Sequence, residues 1–357
     1  MPNCVKKNKL ERKILSGFIS FLYACTVKWL GVMDMKGKTW LLAILMGVVI
    51  PNIFFSVTEK ILPPKAPVTS ESTVEEPSTK QTEPSVTTVQ VLHNGTIKQI
   101  DLDTYLVGVL LGEMPVEFEM EALKAQAVVA RTYTLKRCTT GQKHTFGGVC
   151  TDSTCCQAYC SVADYISKGG TQAAIDKVIS AVNSTAGQVL TYQGELIEAT
   201  YFSCSGGRTE DALAVWGTEI PYLQAVDSPG EENAAHYVDS IKLSADEFTR
   251  LLDIKPKGTP ASWFGTVTHT KGGGVDTMII AGYQFKGTTL RQKLGLRSTA
   301  FVMSAVGDSI HITTKGFGHR VGMSQYGAEA MAVKGSGYKS ILAHYYPGTT
   351  LNISSQN

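Results

Sequence analysis

An α+β fold is what the sequence predicts beyond residue 88, and three features predict it. Runs with strand-like alternation meet at tight turns, first at VQVL, Asn94-Gly95 and IKQIDL, then in VLTYQGELIEATYF around Gln193-Gly194. Other stretches repeat their apolar residues at the helical period. The two kinds are interspersed without the regular strand, helix, strand order of a parallel sheet, so one domain of mixed helices and antiparallel hairpins is expected over 89–357.

In chain order, the first hairpin is specified by Asn94-Gly95, because both residues tolerate the left-handed angles of a two-residue turn. A helical pattern follows from Asp103 to Arg137: Tyr105, Leu106, Val109 and Leu110 form one stripe, Pro115 breaks it, and EALKAQAVVARTYTLKR resumes it. Beyond a cysteine-rich stretch, AAIDKVISAVNS is helical, and the second hairpin comes next. Ala245–Leu252 reads as a short helix capped by Ser244, residues 276–314 alternate as strands, and a further helix is expected from about Ser324. HYYPGTTL closes the domain with a Pro-Gly turn.

The 357 residues allow one large domain with appendages. Lys and Arg number 33 against 31 Asp and Glu, a formal charge of +2, which gives no sign of the concentrated cationic face of a nucleic-acid binder. A composition 43% hydrophobic and 18% charged excludes wholesale disorder and a multispanning membrane protein. The apolar residues are unevenly spread, however. Residues 40–57, WLLAILMGVVIPNIFFSV, carry no charge and match a bilayer span of roughly 18 to 20 residues. An uncleaved anchor is the expectation, a cleaved signal peptide the alternative. Lys36 and Lys38 before it favour a cytoplasmic 1–39 and an extracytoplasmic remainder. Met33 and Met35 are alternative starts to Met1, in which case residues 1–32 are not part of the natural product. Residues 58–88, rich in Pro, Ser, Thr and Glu, read as a flexible spacer.

Several residues suggest chemistry. Glu113, in LLGEMPVEF, stands where Pro115 ends an apolar helix, so its carboxylate is expected at a helix terminus against apolar surface, with a raised pKa suited to a general acid. An ordinary solvated helix-end glutamate is the plain alternative. Lys124 and Arg131 are two helical turns apart and share a face, either solvated or able to bind an acidic group. His144, Cys150 and Cys156 follow H-x5-C-x5-C, a soft set suited to zinc with a fourth position left for Cys155, Cys160 or water. Local disulfides are the alternative. Glycine-rich turns in FSCSGGRTED and GFGHRVGMSQYGA mark places where backbone can approach a ligand.

These motifs in this order (LLGEMP, EALKAQAVVARTYTL, ATYFSCSGGRTEDA, VWG, PYLQAV, GFGHRVGMSQYGA and ILAHYYPGTTL) resemble the stage II sporulation protein D family from about Val89 to the end. H-x5-C-x5-C is similar to the zinc motif of its clostridial members. The resemblance implies a lytic transglycosylase that cuts peptidoglycan between N-acetylmuramic acid and N-acetylglucosamine during engulfment of the forespore, from the septal space outside the membrane. It implies Glu113 as catalytic acid, Lys124, Arg131, Tyr201, Ser203, Ser205, His319 and Gln325 as substrate-binding residues, and one structural zinc on His144, Cys150 and Cys156. It also implies the amidase stage II sporulation protein P and the membrane protein stage II sporulation protein M as partners, and leaves a homodimer open. Related amidase-enhancing wall proteins make a non-catalytic wall-binding module the rival reading. A hydrolase acting through the zinc is a second rival. One departure stands out: Arg320 replaces the second glycine expected in the G-H-G-V-G motif, which puts that loop in question if the position needs a positive φ.

Overall fold

A computed structural model describes residues 88–354. The expectations for 1–39, for the anchor at 40–57 and for the spacer up to residue 87 lie outside the described residues. Among the described residues, no helix is long and apolar enough to cross a membrane.

The domain opens with the expected hairpin, β1 (Thr88–His93) and β2 (Thr96–Asp101), joined through left-handed Asn94 and Gly95. The Asp101 carboxylate accepts the Thr104 N–H at 2.8 Å and starts α1 (Leu102–Glu113). Pro115 ends that helix by forcing Met114 to extended angles, φ −123° and ψ 144°. The chain re-enters as α2 (Met120–Cys138), which is buried on nearly every side and forms the axis of the domain. The two-residue strand β3 (Val149–Cys150) adds in parallel to β1. Two helices follow, α3 (Val162–Ser167) and α4 (Gln172–Asn183), the second burying Ile175, Val178, Ala181 and Val182 against α1 and α2. Next come β4 (Gln188–Tyr192), β5 (Glu195–Leu196), β6 (Tyr201–Phe202) and the short helix α5 (Ala212–Trp216).

A smaller lobe with its own apolar core begins at β7 (Val238–Ser244) and α6 (Ala245–Leu252), the helix capped by Ser244 as expected. Strands β8 (Phe264–His269), β9 (Val275–Ile280) and β10 (Tyr283–Lys286) form one antiparallel sheet. Helix α7 (Gly287–Leu294) then precedes β11 (Ala300–Val306) and β12 (Ser309–Lys315), and β12 pairs antiparallel with both β11 and β7. The expectation of continuous strand over 276–314 is corrected here: α7 interrupts it, burying Leu290 and Leu294 at helical spacing.

The chain returns to the main core through β13 (Met323–Ser324), α8 (Gln325–Val333), α9 (Tyr338–Tyr345) and β14 (Thr350–Ile353), the last pairing with β4. Ser324 caps α8, accepting the Gly327 N–H at 3.2 Å. The second hairpin is shorter than the sequence suggests. After β5 the chain leaves it, and β6 pairs in parallel with β13, which brings the Tyr201 and Gln325 regions to the end of α1.

Candidate functional site

Glu113 is the last residue of α1, and three separate segments reach its carboxylate. Oε1 accepts the Ala158 backbone N–H at 2.6 Å and lies 3.1 Å from the Tyr201 hydroxyl. Oε2 lies 3.4 Å from Gln325 Nε2. Burial raises the Glu113 carboxyl above the ordinary carboxylate range, and these three donors pull it back without cancelling the rise. The group therefore holds its proton to higher pH than an ordinary carboxylate while keeping partners ready for the ionised form. Tyr201 is itself placed by a second acceptor, Gln157 Oε1 at 3.2 Å, and buried Gln157 is anchored by Tyr105 and Thr134 at 3.3 and 2.9 Å. A cavity of about 530 Å³ opens beside the helix end, with Gly112, Ala158, Tyr159, Tyr165 and Lys168 on its walls.

His319 lies at one side of this arrangement. Its Nδ1 accepts the Val321 N–H at 3.1 Å, its ring meets the edge of Phe202, and exposed Trp216 lies 5.6 Å away, centroid to centroid. Burial first, then the Arg291 charge, brings His319 down to about 4, with a smaller contribution from Lys143 and an opposing pull from the Tyr201 backbone. It is a neutral ring at physiological pH. The Ser203 hydroxyl is half-buried and has no protein partner among the described residues, so it is open to a ligand.

Three expected ligand contacts are placed differently. Ser205 is buried, and its Oγ donates to Glu231 Oε2 at 2.9 Å while accepting the Gly207 N–H at 2.9 Å, so it builds the Gly206-Gly207 turn. Arg131 is only 1% exposed and is spent on Asp103 at 3.1 Å and on the carbonyls of Thr185 and Val182 at 2.8 and 3.3 Å. It ties α2 to α1 and the end of α4. Lys124 pairs with Glu121 at 2.6 Å and lies over the Tyr338 ring. The basic face read from their spacing is therefore not open along its length, because α4 and the turn before β4 cover its Arg131 end.

The cysteine-rich stretch gathers His144, Cys150, Cys155 and Cys156, whose ligand atoms all lie within 4.8 Å of one another. Cys155 and Cys156 Sγ stand 3.6 and 3.4 Å from His144 Nε2 and 4.0 Å from each other. Zinc bonds of about 2.3 Å to sulfur and 2.0–2.1 Å to nitrogen give ligand separations of this size in a tetrahedron. The donors thus fit a metal ion, and Cys155 supplies the fourth. Cys160 is displaced from the cluster, next to Lys168 Nζ at 3.8 Å. All six described cysteines are free thiols, which sets aside the disulfide alternative in this structure.

What the residue pattern concealed is the link between the two sites. Cys156 of the thiol cluster is followed directly by Gln157 and Ala158, which hold Tyr201 and Glu113. The only signal was their position after a candidate ligand, since a backbone N–H leaves no mark in a sequence.

Arg320 answers the doubt raised by its glycine-like position. Its φ is +66°, so the position does require left-handed angles. The guanidinium is buried and donates to the carbonyls of Ser205, Arg208 and Gly272 at 2.7, 2.7 and 2.8 Å, and to Glu210 Oε1 at 3.1 Å. These bonds hold the loop in the form a glycine would adopt.

A family model described as Stage II sporulation protein matches residues 93–192, which span Glu113 and the His144, Cys150, Cys155 and Cys156 cluster. The chain is 39% identical over 282 residues to Stage II sporulation protein D of Bacillus amyloliquefaciens, covering 78% of this chain and 81% of that one. It is 40% identical over 264 residues to the protein of the same name from Bacillus subtilis, covering 72% and 76%. It is also 32% identical over 304 residues to the Amidase enhancer of Bacillus subtilis, covering 69% of this chain and 40% of that one.

Proposed function

The chain belongs to the stage II sporulation protein D family, and from that premise we propose that it is a membrane-anchored lytic transglycosylase acting on peptidoglycan in sporulation. The observation that carries the reading is Glu113: one carboxyl with a raised pKa, three hydrogen-bond partners and no second carboxylate among them. A glycoside hydrolase divides its work between two carboxyl groups. A lytic transglycosylase can use one group twice. Glu113 donates its proton to the glycosidic oxygen as the bond to the muramoyl anomeric carbon breaks. The resulting carboxylate takes the proton of the muramoyl 6-hydroxyl as that oxygen bonds to the same carbon, leaving a 1,6-anhydro end and a restored acid. No water is consumed. Ala158, Tyr201 and Gln325 stabilise the carboxylate between the two steps.

His144, Cys150, Cys155 and Cys156 would hold one zinc ion, and a Cys₃His set leaves no open coordination position, as in structural sites. Held there, the ion would cross-link the loop that presents Gln157 and Ala158. The closed set favours this role over that of a zinc hydrolase. Residues 40–57 anchor the protein with the domain outside the membrane, and the amidase stage II sporulation protein P and stage II sporulation protein M are the partners the family suggests. The similarity to the Amidase enhancer supports a second reading, a non-catalytic wall-binding module. Mass analysis of products from peptidoglycan strands separates them: anhydro-muramoyl ends support the transglycosylase, reducing ends a hydrolase, and intact strands the module.

A further inference from the structure

Residues 88–354 contain seven arginines, and six of them face a carboxylate: Arg131 with Asp103, Arg137 with Glu198, Arg208 with Asp227, Arg250 with Glu247, Arg297 with Asp239 and Arg320 with Glu210. Arg291 is the exception. It is half-buried, yet among the described residues its side chain makes no hydrogen bond, ion pair or ring contact. None of its nitrogens is among the buried atoms left without a partner, so the guanidinium reaches solvent. A partly desolvated cation without a counterion gains more than a fully hydrated one from an anion brought by a ligand.

The backbone fixes where Arg291 stands. It lies in the last turn of α7, where its carbonyl accepts the Leu296 N–H at 2.9 Å around left-handed Gly295. Two residues further, the Arg297 carbonyl accepts the Gly318 N–H at 3.0 Å, which docks this turn on the loop carrying His319. The Arg291 charge is close enough to depress the protonation of His319, and Lys143, from the metal-binding stretch, adds a second positive charge. His319 and the exposed Trp216 ring thus form a lip beside Tyr201 of the Glu113 site, and the charges of Arg291 and Lys143 both bear on it.

We propose that Arg291 is a specificity-determining contact that takes a carboxylate of the bound glycan strand at this lip. The proposal rests on the glycan-cleaving reading. A muramoyl residue without its peptide carries one carboxylate, on the lactyl ether, whereas a residue with its peptide carries carboxylates only further out. Either source supplies the same chemistry to a guanidinium, which binds the two oxygens side by side.

The test measures strand affinity with the full-length chain in the Glu113→Gln background, where strands are not consumed. Three probes are used: peptide-free strands, the same strands with lactyl carboxylates converted to methylamides, and strands bearing peptides. Arg291→Gln should weaken binding to peptide-free strands about ten- to hundredfold, the worth of a charged hydrogen-bonded contact. It should have no effect on the amidated strands, and Arg291→Lys should recover part of the loss. A loss confined to peptide-bearing strands assigns the peptide carboxylate as the source. Equal losses on charged and amidated strands, or none on any, overturn the proposal, and an unchanged melting temperature separates a contact from a folding defect. Strand binding without cleavage by the wild type removes the proposed reaction and leaves Arg291 standing. Cleavage by the wild type with an indifferent Arg291→Gln removes Arg291 alone.

Discussion

Replacing Arg320 with alanine should destabilise the domain severely, and the structure gives the size. Arg320 is 2% exposed and its partner Glu210 is fully buried. Without the guanidinium, Glu210 keeps only the Thr270 hydroxyl and Gly274 N–H on Oε1, at 2.8 and 3.0 Å, while Oε2 has no partner. Removing one member of a buried ion pair costs about 3–5 kcal/mol, because the other remains desolvated. At about 2–4 °C per kcal/mol for a domain of this size, the melting temperature should fall by roughly 6–20 °C. Arg320→Gly should be about 1–2 kcal/mol less harmful than Arg320→Ala, since glycine adopts the left-handed angles without strain. Adding Glu210→Gln to Arg320→Ala should recover a large part of the loss, which a thermal or urea unfolding cycle of the single and double variants measures. An Arg320→Ala protein within about 1 kcal/mol of wild type, below the lower bound for breaking such a pair, would show that Glu210 does not depend on Arg320.

Three further outcomes are expected. Cys156→Ser and Cys155→Ser should each reduce bound metal and lower the melting temperature, while Cys160→Ser keeps both; metal analysis showing wild-type content in Cys155→Ser would exclude it as the fourth ligand. Because the folded-state pKa of Glu113 is raised, the acid is protonated below it and ionises as pH rises through it, so activity should fall on the alkaline side. Tyr201→Phe removes a donor to the ionised form, raises Glu113 further and should move that fall to higher pH; a pH–rate profile displaced to lower pH contradicts this. Protease added to protoplasts should remove the globular domain, and full protection would defeat the expected topology.

Local signals carried the elements they could encode. Asn94-Gly95 specified the first turn, Pro115 the end of α1, and Ser244 and Ser324 two helix starts. Glu113 was legible as a helix-end carboxylate because the break and the apolar run are adjacent in sequence. Its partners were not equally legible. Tyr201 and Gln325 meet it through the parallel pairing of β6 with β13, a long-range contact that neither segment announces. Ala158 acts through its backbone, so its residue type says nothing. The spacing of Lys124 and Arg131 gave a common face correctly, but periodicity cannot say what covers a face, and here Asp103 and the end of α4 cover half of it. H-x5-C-x5-C fixes three positions, so spacing left Cys155, Cys160 and water as equal choices for a fourth, and only the fold brings Cys155 into the cluster.

The role of Glu113 is tested most directly by the products of Glu113→Gln compared with wild type on peptidoglycan strands. The amide is near in shape to the acid but can neither donate the acidic proton nor accept one afterwards. The wild type should release fragments ending in 1,6-anhydro-muramic acid. Glu113→Gln should fold, bind metal and bind strands while losing activity by about 10⁴-fold or more, the upper end of what one general acid–base group contributes. Near-normal release of anhydro ends by Glu113→Gln, or no strand cleavage by the wild type, would contradict the account.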